Sequence, residues 1–126
     1  MILRPHHLLC MQNFVGKGYS EAFVENMKLI KAAFDSGCTF SVECCPDSIC
    51  RACPNMDRGG LCLYQDKVER YDAAVSALLG EPRKYYSRSD ISYILKPKLT
   101  AELFAEICGD CEWAQKGICS FAAMKL

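Results

Sequence analysis

Cysteine spacing is the feature that most constrains what this chain can fold into. Ten of its 126 residues are cysteine, and six of these form two similar triplets. The first triplet runs Cys-x-x-Cys at positions 50–53 and Gly-Leu-Cys at 60–62, and the second runs Cys-x-x-Cys at 108–111 and Gly-Ile-Cys at 117–119. Two intervening residues let both sulfurs reach one metal, and the glycine lets the backbone turn back toward it. Two such triplets predict a metal-binding protein.

Each triplet needs a further ligand to complete a four-coordinate centre. Cys10 is our first candidate, because it follows His6 and His7 by about one helical turn on a face that otherwise points into a core. The alternative is that Cys10 is a small buried side chain, as free cysteines often are. His6 and His7 could bind metal, relay protons or act as hydrogen-bonded structural residues. The other candidates are Cys38, Cys44 and Cys45.

The number of thiols favours an iron–sulfur cluster over zinc. A four-cysteine zinc site commonly uses two close pairs, here 50–53 and 108–111, which would leave Cys62 and Cys119 without a role. An iron–sulfur cluster accommodates a triplet and one remote cysteine, and the Cys53-Pro54 step is typical of cluster-binding runs. We therefore expect an iron–sulfur cluster, of the 4Fe-4S type, with zinc as the alternative.

The chain carries no sign of export or of membrane insertion. Its first residues lack the charged start and long apolar run of a signal peptide, and no apolar stretch approaches the roughly 18 residues that a membrane span needs. We therefore expect a cytoplasmic protein with reduced thiols. The alternative is a disulfide framework in an exported protein, which the even number of cysteines permits.

The charge balance gives no support for a strongly charged partner. The chain has 15 basic and 15 acidic side chains, so no net field draws it to nucleic acid or to an anionic membrane. A basic and tyrosine-containing stretch at positions 83–98 could suit single-stranded nucleic acid. A solvated helix surface explains the same stretch, and nucleic-acid binding is not expected.

Hydrophobic periodicity predicts a mostly α fold with a minor β element. We expect one small helical metal-binding domain over residues 1–126, with irregular cysteine-rich loops. Helices are predicted at 5–15, 20–36, 63–79, from 88 to before Pro97, and after Thr100, and one short strand is predicted at 39–43. Ser20 and Thr100 are predicted N-caps, and Ser87 with Asp90 has capping-box spacing. Asp66 is placed to pair with Arg70 along the third helix.

Three segments of the sequence also resemble a known family. They are RPHHLLC at 4–10, CRACPN at 50–55 and CGDCEW at 108–113, and they resemble a bacterial and archaeal family of small proteins, the domain of unknown function 1284. The resemblance spans nearly the whole chain and implies iron–sulfur binding without supplying an activity. The cysteines that match the family are Cys10, Cys50, Cys53, Cys62, Cys108, Cys111 and Cys119. The other three are peculiar to this sequence, which argues against a ligand role for them.

Three functions are consistent with these features. The first is a redox or electron-carrying iron–sulfur protein with a protein redox partner, in which Trp113 shields the cluster or simply fills the core. The second is a zinc-stabilised interaction or nucleic-acid-binding module. The third is an enzyme with an open iron site and His6 or His7 as acid or base. The sequence has no phosphate-binding loop, nucleophile elbow or catalytic triad, so a non-enzymatic role is favoured.

Overall fold

The computed structural model describes all 126 residues, as six α-helices and a two-stranded sheet. The helices are α1 (His7–Asn13), α2 (Glu21–Asp35), α3 (Gln65–Leu79), α4 (Arg88–Leu95), α5 (Ala101–Cys108) and α6 (Glu112–Gln115). The strands are β1 (Ile2–Leu3) and β2 (Ser41–Val42), and a 3₁₀ turn covers Cys50–Ala52. Helical residues make up 48% of the chain, which confirms the expected mostly α class with minor β. None of the six helices has the length and apolar character needed to cross a membrane.

The two strands join the N-terminus to the middle of the chain. β1 pairs with β2 in parallel, with Ile2 opposite Ser41 and Leu3 opposite Val42. The strand predicted at 39–43 is therefore present but shorter, and its partner is a two-residue segment that the sequence analysis did not identify. This pairing brings the start of α1 beside the cysteine-rich loop that follows β2.

The helix caps predicted from the sequence are confirmed. The Ser20 side chain accepts a hydrogen bond from the backbone of Phe23, and Thr100 caps α5 in the same way. Ser87 and Asp90 form a capping box, with both reciprocal hydrogen bonds present. These polar side chains satisfy N–H groups that the first turn of a helix leaves without partners.

Two details of the predicted helices are wrong. α1 begins at His7 rather than at Pro5, because the preceding residues form a turn in which the His7 amide donates to the Arg4 carbonyl oxygen at 3.1 Å. The side chain of Arg70 pairs with Asp110 across the fold rather than with Asp66 on its own helix. Asp110 lies between two cysteines of the second triplet, so this ion pair joins α3 to that triplet.

Helix α2 contributes one face to the hydrophobic core. Its buried stripe of Phe23, Met27, Ile30 and Phe34 follows the predicted helical spacing and belongs to a cluster of 20 buried residues. Trp113 of α6 joins this cluster and meets Phe23 edge to face, with ring centroids 5.7 Å apart. The core therefore connects α2 to the C-terminal cysteine segment.

Candidate metal centre

Five of the seven cysteines that we predicted as ligands line one cavity of about 280 Å³. They are Cys10 of α1, Cys50 and Cys53 at the 3₁₀ turn, Cys62 before α3, and Cys111 at the start of α6. These residues come from three distant parts of the chain. The fold therefore gathers thiols that local sequence spacing alone could not bring together.

Cys10 lies with the second triplet. Burial raises the pKa of the Cys10 thiol well above its ordinary value, and negative charge on Cys119, Cys111 and Cys108 raises it further. The backbone holds the triplet in shape, since the Cys111 amide donates to the Cys108 carbonyl oxygen at 2.9 Å. The Cys119 amide donates to the carbonyl oxygen of Trp113 at 3.2 Å. Cys10 is therefore near the second triplet, and it also lines the cavity with all three thiols of the first.

The surroundings of the second triplet disfavour the thiolate form of its cysteines. Burial, with added repulsion from neighbouring thiolates, raises the pKa of Cys108 to about 12 and that of Cys119 to about 11. In the absence of metal these groups therefore stay protonated near neutral pH. A bound cation would reverse both effects, because it stabilises the thiolate form that metal ligands require.

The first triplet is closed by its own backbone hydrogen bonds. The Cys53 amide donates to the Cys50 carbonyl oxygen at 3.0 Å, and Met56 forms an isolated antiparallel bridge with Cys62. Burial raises the pKa of Cys53, and charge on Cys62 also contributes to that increase. The loop that the sequence predicted as irregular therefore returns Cys62 toward the first two cysteines.

Two histidine–carboxylate pairs lie side by side on the cavity wall. The Nδ1 atom of His6 lies 2.6 Å from Asp72 Oδ1, and the Nδ1 atom of His7 lies 2.6 Å from Asp47 Oδ2. The two rings are close, with centroids 4.3 Å apart, and both line the cavity. Neither Nε2 atom has a hydrogen-bond partner in the protein. Each ring can therefore offer its Nε2 to a group in the cavity.

Asp47 fixes both His7 and the first triplet. Its Oδ2 accepts from the Arg4 amide and the His7 ring, each at 2.6 Å. Its Oδ1 accepts from the amides of Ile49 and Cys50, at 2.9 and 3.0 Å. Ligand atoms of His7, Asp47 and Cys50 all lie within 4.8 Å of one another, so these three residues could hold a metal ion. Because both carboxylate oxygens already accept two donors, Asp47 is better suited to orient ligands than to be one.

Arg4 is fully buried beside this group and is incompletely paired. Its Nε donates to Asp72 Oδ2 at 2.8 Å, but Nη1 and Nη2 are buried with no hydrogen-bond partner. Burial lowers the pKa of Arg4, while the bond to Asp72 and the nearby Cys50 thiolate form raise it, and the net effect is a raised pKa. An unpaired buried donor costs about 1–3 kcal/mol. An anionic sulfur at Cys50 would remove that cost, so the site fits a thiolate-bound metal.

An aromatic wall closes one side of the cavity. Tyr19 and Trp113 lie with ring centroids 5.5 Å apart, and both line the cavity with Phe23. Burial raises the pKa of Tyr19, and charges on Cys111 and Cys53 add to the effect. Tyr19 is therefore near both triplets. Trp113, 6% exposed, both fills the core and covers the cavity.

Sequence reasoning did not identify the two aspartates. Asp47 stands three residues before Cys50, which is the spacing of an N-capping side chain and a usable signal. Asp72 lies in the apolar stripe of α3, on the same face as the buried Val75 and Leu79. An acidic residue on a buried helix face indicates a buried cationic partner, here Arg4.

Five cysteines do not line the cavity. Two of them, Cys108 and Cys119, belong to the second triplet, and the other three are the exposed Cys38 and Cys44 and the half-buried Cys45. All ten cysteines are unpaired in the structure. The basic stretch is also separate, and one of its tyrosines, Tyr86, is a core residue that bridges to Phe40.

Comparison with known proteins gives one match. The model of a family described as a protein of unknown function (DUF1284) matches residues 18–117. That range contains five of the seven matching cysteines and excludes Cys10 and Cys119. No curated protein and no solved structure matches the chain.

Proposed function

We propose that this chain, which belongs to the family of proteins of unknown function DUF1284, binds an iron–sulfur cluster through its cysteines and serves in electron transfer. The observation that carries the proposal is the cavity lined by five cysteines from three distant parts of the chain. Unbonded thiols gathered in this way have no packing advantage over small apolar side chains. Several thiols that line one cavity support a soft metal centre there.

The donor set supports a cluster held by Cys10 and the second triplet. Four thiolates are the usual ligands of a 4Fe-4S cluster, and the charges on Cys108, Cys111 and Cys119 all act on Cys10. We assign the first triplet, Cys50, Cys53 and Cys62, to metal as well. The unpaired Nη groups of Arg4 beside Cys50 favour negative charge on that sulfur.

The residues around the cavity suit a redox role. An iron–sulfur cluster, when bound, supplies one-electron chemistry whose potential depends on solvent exposure and on hydrogen bonds to the sulfurs. Trp113 and Phe23 exclude water from one side, and Arg4 places a buried positive charge beside Cys50. The positive charge of Arg4 would raise the reduction potential, since it favours the more negative reduced state, whereas exclusion of water would lower the potential. A soluble redox protein is the partner that we propose.

Contacts between distant parts of the chain support a single metal-binding domain over residues 1–126. β1 pairs with β2, Cys10 is near the second triplet, and the Ser120 amide donates to the Asn13 side chain at 3.3 Å. A reducing cytoplasm would keep the thiols available for metal.

Anaerobic purification tests the proposal. Broad visible absorption with matching amounts of iron and acid-labile sulfide is the expected result. Cys38→Ser is the matched control, because Cys38 is exposed and lies outside the cavity, and its spectrum should be unchanged. A colourless protein that contains zinc and no iron would contradict the redox role and leave a zinc-stabilised module.

A further inference from the structure

We propose that His7 is the fourth ligand of the first triplet, so that Cys50, Cys53, Cys62 and His7 form a centre of three thiolates and one imidazole. This inference rests on the metal binding proposed above and adds to it the identity of a non-cysteine ligand. It selects His7 over His6 among the two histidines that the sequence offers as possible ligands.

The cysteines leave room for such a ligand. The proposed function assigns Cys10 to the second triplet, although Cys10 also lines the cavity with the first, and Cys38, Cys44 and Cys45 do not line the cavity. On that assignment the first triplet has no fourth cysteine. His7 lines the same cavity as all three of its thiols, and its ring lies within 4.8 Å of the Cys50 sulfur.

The orientation of the His7 ring suits coordination. Its Nδ1 is engaged by Asp47 at 2.6 Å, which leaves Nε2 without a protein partner. Metal-binding histidines commonly donate their second ring N–H to a carboxylate, which fixes the tautomer and the ring direction. Asp47 supplies that carboxylate and is itself fully buried at its side chain.

Asp47 also places His7 and Cys50 in one unit. The same carboxylate accepts the His7 ring on Oδ2 and the Cys50 amide on Oδ1. A shift of either ligand would move Asp47 and would therefore strain the hydrogen bond between Asp47 and the other ligand. This coupling makes Asp47 a positioning residue for the centre.

His6 provides a matched control within the same chain. Its ring is 13% exposed against 14% for His7, and its Nδ1 lies at the same 2.6 Å from a buried aspartate. That aspartate is Asp72 on α3, not a residue of the cysteine loop. His6 is outside the group of ligand atoms that His7 forms with Asp47 and Cys50. We therefore assign His6 a structural role.

Nitrogen coupling tests the assignment directly. Protein labelled with ¹⁵N-histidine is purified anaerobically and reduced, and pulsed electron paramagnetic resonance measures hyperfine coupling between the ring nitrogen and iron. Coupling is expected in the unsubstituted protein and in His6→Gln, and its loss is expected in His7→Gln. His7→Cys should likewise lose nitrogen coupling, because a thiol replaces the imidazole. If the metal is zinc, the ¹⁵N chemical shift of His7 Nε2 in nuclear magnetic resonance spectra reports whether this nitrogen is bound to the metal.

The possible outcomes distinguish a failure of the His7 assignment from a failure of the proposed function. Metal-loaded unsubstituted protein with no histidine coupling, or coupling that is lost in His6→Gln and kept in His7→Gln, overturns the His7 assignment while the cysteine centre stands. Protein that takes up neither iron nor zinc under reducing conditions overturns both.

Discussion

The carboxylate of Asp47 lies 2.6 Å from the ring nitrogen of His7 and also accepts the amide of Cys50 at 3.0 Å. His7 and Asp47 are 40 residues apart in sequence, and the buried side chain of Asp47 holds both His7 and Cys50. This contact joins the histidine-containing start of α1 to the first cysteine triplet. In the proposed metal centre, this contact would make the placement of two ligands depend on Asp47.

Asp47→Asn should weaken metal binding without removing a ligand. An amide presents one oxygen and one NH₂ group, so it cannot accept all four of the hydrogen bonds that Asp47 accepts. Loss of a residue that orients a ligand typically lowers metal affinity about 10–100-fold. Competition with a chelator measures the affinity. Asp66→Asn is the control, because Asp66 is exposed and makes no ion pair, and unchanged affinity in Asp47→Asn would contradict the positioning role.

Cys10→Ser should lower the metal content by one site's share. Serine has nearly the size of cysteine but is a poor ligand for soft metals, so the substitution tests coordination more than packing. Cys38→Ser should leave the metal content unchanged, since Cys38 is exposed and its sulfur lies only near Ser36. Full metal content in Cys10→Ser combined with loss in Cys38→Ser would show that the ligand comes from the strand side of the molecule.

Removal of the metal should loosen the cysteine loops more than the core. The segment from Cys44 to Cys62 contains only one 3₁₀ turn, whereas α2 and α3 each contain 15 helical residues. Binding free energy at a site that needs metal for its geometry contributes to folding. Chelation should therefore lower the melting temperature and expose this loop to protease. Equal protease resistance with and without metal would mean that the core alone orders the loop.

Acid should destabilise the metal-free protein through Asp72. Burial alone would raise the pKa of this carboxyl, but hydrogen bonds and charge from His6 and Arg4 lower it below its ordinary value of 3.8. A group whose pKa is lower in the folded state binds fewer protons there, so its contribution to stability is present above pH 3.8 and is lost below it. The urea midpoint of metal-free protein should therefore fall between about pH 5 and about pH 3.

Asp72→Asn is the variant that checks this assignment. It leaves buried Arg4 without its anionic partner, which typically costs about 3–5 kcal/mol, so the midpoint should be lower at neutral pH. The remaining acid dependence should be shallower than in the unsubstituted protein. The same acid dependence in both proteins would assign the acid sensitivity to other carboxylates.

Local features of the fold could be predicted from the sequence, and long-range features could not. The capping residue Ser20 and the apolar stripe of α2 are signals within a few residues, and both were correctly interpreted. The pairing of Arg70 with Asp110 was missed, because a residue four positions away is always a plausible partner and the real one is 40 residues distant. β1 was missed because two residues carry no periodicity.

The candidate site shows the same difference between local features, which the sequence predicts, and long-range features, which it does not. Spacing within each triplet indicates metal, but only the fold shows that Cys10 lies near both triplets. The role of Asp47 is evident only in the fold, because β1 places Arg4 and His7 beside the loop that contains Asp47. Ligands from a single segment are encoded locally, whereas the residues that orient them depend on the whole fold.

Anomalous X-ray scattering at the iron absorption edge, from crystals grown without oxygen, tests the central proposal most directly. The proposed function predicts strong iron peaks at the cavity lined by Cys10, Cys50 and Cys111. These peaks should lie within bonding distance of the thiols of both triplets. Crystals with no iron peak at this cavity, or with iron only at the exposed Cys38 and Cys44, would contradict it.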